Sequence, residues 1–236
     1  QSHFSISPAV AGTFIWTGES SFEFKPTASL AYSTRYTITI QSGVKSIYGL
    51  DSEQQSSFNF VTKSNTFSLS VPYYKQQEGF TCNIAATRMV LAYRGVSLSE
   101  DAIRSGIGYN SDPNIGWVSG YGVHAGPVST FVSRYRQSSV KSGWNVPDML
   151  KEVQNGNPVI IWEYNRYSQP YGSFILSSGA TGYTGMHSEV VRGWIGDINN
   201  PTHILTNDPW RGYLTYDIQT FNSVWSYLNN TALVVY

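Results

Sequence analysis

The sequence predicts an α+β protein, in which a first region of strands alone precedes a larger domain of helices packed on an antiparallel sheet. Three observations carry that prediction. Residues 1–63 hold only short segments of alternating apolar and polar residues, separated by glycine and proline. A helix-length stretch that is apolar on more than one side, Asn83–Tyr93, opens the larger region. From Val159 onward most segments read as strands, and two of them flank the turn-rich run GDINNP at 196–201.

In the first region the candidate strands are Phe14–Trp16, Phe22–Phe24, Arg35–Ile40 and Ser57–Val61. Tyr36, Ile38 and Ile40 alternate with Thr37 and Thr39, the period of a half-buried strand, and Phe58 and Phe60 repeat it. This is a β-sandwich pattern with no convergent histidine, cysteine and carboxylate. The polar run KSNTFSLS at 63–70 reads as a linker, placed at 64–70.

The larger domain is expected over residues 71–236. Its first helix runs to Tyr93 and stops at Gly95, which suits a left-handed turn. Ser97 and Glu100 have capping-box spacing and predict a second helix to about Arg104. Residues 106–126, rich in Gly, Ser, Asn and Asp, read as a long surface loop shaping a cleft, with His124 an ordinary loop histidine. A short helix is expected within 126–135. Asn145 as N-cap and Pro147 near the first helical position predict another, ended by Gly156. Val159–Trp162 is a continuous apolar run, hence a buried strand. Met186–Ile195 and His203–Asn207 form the expected hairpin.

Composition excludes several function classes. Lys+Arg and Asp+Glu are 15 each, so no basic field exists to hold nucleic acid or an anionic membrane. Charged residues are 13%, well below the usual value of about 25%, and solubility falls to Ser, Thr, Asn, Gln and Gly, a composition that suits an exported protein. One cysteine rules out an internal disulfide and a cysteine-based metal cluster. The four histidines show no pair at zinc-ligand spacing, so no metal or cofactor is expected. No apolar run is long enough to span a membrane, and no signal peptide is present. The chain begins with Gln1 rather than Met, which suits removal of an upstream segment such as a signal peptide.

The single cysteine, Cys82, falls at the start of the first helix, where unpaired N–H groups and the positive dipole end favour a thiolate. Gln76 lies six residues upstream, and its amide beside the Cys82 N–H makes a candidate oxyanion hole. Set against this is a buried structural cysteine and a surface glutamine, which the stretch alone supports equally. His187 and Asp208 are equidistant from the turn, so the hairpin sets them level with each other, about 5 Å apart at Cβ. A carboxylate at that distance orients an imidazole. Gln77 competes with Gln76, and Asn207 competes with Asp208, although alternation puts the latter two on opposite faces. Glu189 shares the His187 face, as a site-lining or a solvated residue; His203 reads as structural.

The order Gln, Cys, His, Asp resembles that of papain-like cysteine peptidases. The phrases VPYYKQ, C-x-x-A-A-x-x-M-V-L-A-Y-x-G-V, G-N-P-V-I-I, H-x-x-V-V-x-G-W and N-D-P-W-x-G resemble more closely the bacteriocin-processing cysteine peptidases of family thirty-nine, especially their free-standing secreted relatives. Phe221 and Trp225 fit that family's closing segment. The resemblance implies a papain-like fold, Cys82 as nucleophile, His187 as general base and acid, Asp208 as its orienting residue and Gln76 as oxyanion donor. Asn83-Ile84 stand where the family usually has Gly-Pro, and Met186 precedes the histidine where Gly is usual. Residues 3–62 resemble the later part of a bacterial Ig-like domain. Four or five strands are visible where a full sandwich has about seven, so its opening strands are expected to lie outside this chain.

The leading expectation is therefore an extracellular or cell-surface cysteine peptidase acting on a peptide or protein. A peptidoglycan amidase or endopeptidase would use the same groups with the cell wall as partner, although the Asp-Cys-Ser-Gly signature of one such group is absent at 81–84. A non-catalytic surface module is the third reading.

Overall fold

The structure, a computed structural model, describes residues 3–18, 21–45, 48–166 and 172–236. Its backbone divides into two compact units, Gln1–Asn65 and Thr66–Tyr236.

Among its described residues the first unit holds strands and no helix. Strands β1 (Phe4–Ser7), β2 (Gly12–Trp16), β3 (Phe22–Pro26), β4 (Arg35–Ile40) and β5 (Ser56–Val61) form a three-stranded sheet, β1-β4-β5, and a β2-β3 hairpin. The two layers meet through aromatic rings: Phe4 packs edge-on to Phe14, with centroids 4.8 Å apart, and lies against Phe22 and Phe24. Strand β1 is missing from the sequence reading because its alternation spans only four residues, FSIS.

The second unit begins with β6 (Thr66–Ser68), and this corrects the expected linker at 64–70. Phe67 stacks on Trp194 at 4.6 Å, so the run is an edge strand whose period-two residues, Phe67 and Leu69, outweigh its serines. Then follow α1 (Cys82–Tyr93), α2 (Glu100–Ile107), α3 (Ala125–Val132), β7 (Ser138–Lys141), α4 (Val146–Gln154), β8 (Val159–Tyr164), β9 (Ser173–Ile175), β10 (Thr181–Tyr183), β11 (Met186–Asp197), β12 (Asn200–Asp208), β13 (Gly212–Asp217), α5 (Ile218–Ser226) and β14 (Ala232–Val235). Seven strands make one antiparallel sheet in the order β13-β12-β11-β8-β14-β7, with β6 on β11 and β9-β10 a separate hairpin.

The sheet has a core on each face. Ile160, Trp162, Val190 and Leu233 pack with α1 and α3, while Val159, Ile161, Val191 and Val234 pack with α4 and α5. Strand β8 is therefore buried along its whole length, which is why its apolar run is continuous. Helix α1 buries Ile84, Ala85, Ala86, Met89, Val90 and Leu91 and ends before Gly95 at φ +80°. The cap of α2 is Ser99, which accepts from the Ala102 N–H, rather than the expected Ser97. Asn145 accepts from the Asp148 N–H, with Pro147 in the first turn of α4.

The stretch 106–126 is not a surface loop throughout. Trp117, Tyr121 and Val123 are buried, and the carbonyl of Val123 accepts from both Asn83 Nδ2 and Trp162 Nε1 at 3.0 Å. The Gly- and Asn-rich composition marks its turns, whereas the Val123 carbonyl pins it to α1 and β8.

Candidate active site

Cys82 is the first residue of α1 and only 5% exposed. Thr81 precedes it, but the Thr81 hydroxyl donates to Glu78 O at 2.9 Å instead of capping the helix. The first-turn N–H groups thus keep no side-chain cap, and their partial positive charge faces whatever occupies the cleft. That cleft, about 660 Å³, is lined by Gln76, Phe80, Cys82, Tyr121, Phe174, Tyr183, Met186, His187 and Trp210 among others.

His187 opens the cleft end of β11. Its Nε2 lies 3.0 Å from Asp208 Oδ1, which leaves Nδ1 as the nitrogen available to Cys82. The cysteine and the ring line the same cleft, near enough for the charge of one to act on the other. Burial favours the neutral ring. The charge of Cys82 and the hydrogen bonds to Asp208 and Cys82 outweigh it, and they hold His187 well above the usual imidazole value.

The hairpin that brings His187 and Asp208 together differs in register from the expected one. Val190 pairs with Asn207 and Trp194 with Ile204, with register shifts between Val191 and Gly193 and between Ile195 and Gly196. Continuing that register sets Asp208 across from Glu189, two residues from His187. The pair is diagonal rather than level, because bulges alter the count of opposed residues. The side chains close the gap on one face, as diagonal pairs of long side chains do.

Asp208 is fully buried and has several donors. Oδ1 accepts from the Trp210 N–H at 2.6 Å and the Arg211 N–H at 3.2 Å as well as from His187, and Oδ2 accepts from Arg211 Nε. The turn after β12 thus bends back onto its own aspartate. Burial alone would raise this carboxyl; the His187 hydrogen bond and charge, then the Trp210 N–H and Arg211, hold it far below the usual carboxylate range.

The remaining candidates separate clearly. Gln76 lines the cleft; its backbone N–H donates to Pro209 O at 2.9 Å and its Nε2 to Glu78 O at 2.8 Å, which leaves the amide one further N–H. Gln77 is directed elsewhere, its backbone N–H meeting Glu100 Oε2. Asn207 donates to Val71 O on the opposite face from Asp208. His203 contacts only Thr202 Oγ1 among its described hydrogen-bond partners. His124 is tied between Asn114 Oδ1 and Tyr121 OH, and burial holds it below the usual imidazole value despite the nearby Asp112 charge.

Sequence reasoning missed the layer behind His187 and Asp208. Glu189 is neither solvated nor cleft-lining but fully buried, accepting from Thr206 Oγ1, Arg211 Nη2 and Tyr216 OH. Arg211 bridges Glu189 and Asp208. The signal was present in part: Glu163 is the single carboxylate of the otherwise apolar strand VIIWEY, and Glu189 directly precedes the apolar pair Val190–Val191 in MHSEVVRGWIGD. His187, Glu189 and Asp208 each offer one ligand atom within 4.8 Å of the others. The cation bridging those carboxylates is the Arg211 guanidinium.

Asn83 and Met186, the two departures from the family pattern, meet at one point. A Cβ on Gly122 (φ +117°) would stand 2.8 Å from Asn83 Nδ2 and 3.3 Å from Met186 Cε. Asn83 also ties Val123 to the helix. These residues join the 106–126 segment to the base of the cleft.

A family model described as the Peptidase_C39 like family matches residues 68–233, and one for a bacterial Ig-like domain matches residues 3–62. Among solved structures, a putative C39-like peptidase from Bacillus anthracis superposes with a TM-score of 0.62 at 20% identity, over 72% of this chain and 97% of its own. A double glycine motif protease from an AMS/PCAT transporter, in complex with the leader peptide, gives 0.47 at 20% identity, over 71% and 93%. The peptidase domain of Streptococcus ComA gives 0.46 at 15% identity, over 70% and 98%. No curated protein matches the chain.

Proposed function

The chain belongs to the Peptidase_C39 like family, and we propose that it is an extracellular cysteine peptidase in which Cys82, His187 and Asp208 form the catalytic triad and Gln76 completes the oxyanion hole. The observation that carries this reading is the convergence of a helix-start thiol and an Asp-bound imidazole on one open cleft.

In this reaction the Cys82 thiolate attacks the carbonyl carbon of the scissile amide. The tetrahedral oxyanion accepts from the Cys82 N–H and the remaining N–H of Gln76. His187 gives its proton to the leaving amine as the C–N bond breaks, and a thioester remains. A water then adds to the thioester and His187 takes its proton. The C–S bond breaks, the acid product leaves and the thiolate–imidazolium pair returns. Asp208 fixes which ring nitrogen faces the sulfur and stabilises the imidazolium.

Export is supported by the low charge, the hydroxyl-rich composition and the Ig-like match ahead of the catalytic unit. The substrate is a peptide or protein, and association with the cell wall suits an Ig-like partner domain.

The test is the rate of Cys82 alkylation against pH. With His187 protonated beside it, the sulfur reacts readily well below pH 7, and Asp208→Asn suppresses that acidic reactivity. A rate that rises only near the free-thiol value of about 8.5 would overturn the proposal. Cleavage of casein or short peptides, compared with purified cell wall, separates the peptidase from a peptidoglycan hydrolase.

A further inference from the structure

Behind His187 the sheet buries a carboxyl pair that the proposed reaction leaves without a role. Glu163 on β8 is the direct cross-strand partner of His187 on β11. It is 0% exposed, in a strand whose other residues on that face are Ile161 and Val159. No hydrogen-bond donor reaches either of its carboxyl oxygens among the described residues. The polar group beside it is a second carboxyl, Glu189, its same-face diagonal neighbour across the β8–β11 pairing.

Glu189 has the opposite surroundings. Thr206 Oγ1 donates to its Oε2 at 2.5 Å, while Tyr216 OH and Arg211 Nη2 donate to its Oε1 at 2.6 and 2.8 Å. A buried carboxylate without a donor is strongly unfavourable. A buried carboxylic acid needs only one acceptor for its O–H, and Glu189 is that acceptor. The arrangement thus gives the pair one proton and seats it on Glu163.

We propose that Glu163 is an un-ionised acid donating to Glu189, and that this neutrality lets the single guanidinium of Arg211 serve both Glu189 and Asp208 and so keep Asp208 against His187. The inference rests on the roles given above to His187 and Asp208, and it makes Glu163 a positioning residue. With Glu163 neutral, two carboxylates, Glu189 and Asp208, face two cations, Arg211 and protonated His187. Ionising Glu163 sets a third carboxylate against the same cations and pulls Arg211 away from Asp208.

The surroundings agree from every side. Strand β11 presents His187 and Glu189; β12 presents Asp208 and Thr206; the turn after it presents Arg211; and β13 presents Tyr216, whose ring lies under the Arg166 guanidinium at 4.8 Å. Helix α5 and strand β14, which pack against β8, carry no charged side chain. The Asp148 and Lys151 side chains of α4 pair with each other in solvent, and its Glu152 accepts from Asn157 Nδ2. The one charged side chain of α1, Arg88, lies over the Tyr74 ring. Burial, then the charge and hydrogen bond of Glu189, hold the Glu163 carboxyl well above the usual carboxylate value, against the opposing pull of His187 and Arg211.

Infrared spectroscopy of the full chain tests the proton directly. At neutral pH the carbonyl stretch of an un-ionised carboxyl is expected, lost in Glu163→Gln. Its absence, or its persistence in E163Q, overturns the proposal whether or not the cysteine turns over substrate. The positioning role is read from kcat/KM against pH. Glu163→Ala should lose on the order of tenfold in kcat, the scale of a reacting geometry that has slipped. E163Q, a neutral donor in the same place, should rescue that loss and hold activity to higher pH than the wild type. An alkaline limb of E163Q that superimposes on the wild type, or E163A and E163Q profiles that coincide, would refute the role. An inactive cysteine with the band present would count against the triad assignment and leave the shared proton standing.

Discussion

Each oxygen of Asp208 has its own cation, His187 on Oδ1 and Arg211 on Oδ2. This double engagement makes the stability of the fold depend on pH in a defined sense. Asp208 is depressed in the folded state, so its contribution is complete above its unfolded value of about 3.9 and is lost as pH falls through the folded one. His187 is raised, so its contribution is complete below its unfolded value of about 6.5 and is lost as pH rises through the folded one. The pair stabilises fully between roughly pH 4 and 6.5. The melting temperature of the wild type minus that of Asp208→Asn, followed across pH, should peak in that window. Because the Cys82 charge leads the favourable causes of the His187 shift, Cys82→Ala should lower the pH at which the His187 contribution is lost above that window. A flat difference profile would contradict this account.

Strand β11 is served on one edge by two partners in succession. Residues Met186–Val191 pair with β8, and Gly193–Ile195 pair with β6. The bulge between Val191 and Gly193 marks the change. Gly193 is needed there, since a Cβ would stand 2.1 Å from Phe67 O and 2.8 Å from Ser68 Cα. Gly193→Ala should therefore displace β6 and expose Trp194, seen as faster amide exchange at Leu69, whose N–H donates to Arg192 O at 2.7 Å. Unchanged exchange would show that β6 accommodates the methyl group.

The same strands show what a reader of the chain could see. Helix α1, the Asn145 cap and the β11–β12 hairpin were legible because each has a local chemical cause: a two-sided apolar period, an amide at a helix start, a turn-rich run between strands. The register was not, because a bulge leaves no compositional mark beyond one glycine. The roles of Glu163 and Arg211 were not, because a lone carboxylate in an apolar strand signals burial without telling which groups of the neighbouring strand meet it, and Arg211 reaches Glu189 from 22 residues away. The 106–126 segment misled for a similar reason: glycines announce turns, whereas Val123 is held by Asn83 and Trp162 from 40 and 39 residues away.

At the scale of the molecule, the catalytic unit begins at Thr66, within the run that composition alone assigns to a linker. A chain starting at Thr66 should melt above one starting at Val71, which lacks β6 and leaves the ring face of Trp194 without Phe67. Phe67 is half-buried, so its loss should cost less than the roughly 3–5 kcal/mol of a fully buried Phe. Equal melting temperatures for the two chains would show that β6 contributes nothing. The first unit, by contrast, has a thin interior. Its β5 residues are exposed throughout, Phe58 at 56%, and Tyr36 is its one buried apolar side chain among the described residues.

The covalent path out of the first sixty-five residues enters the hydrolytic body at a three-residue strip lying along the backbone that bears the imidazole. A pull applied through the chain at its front would therefore load that strip before any other strand of this body, and its pairing residues, Gly193–Ile195, follow the proposed general base by a few positions.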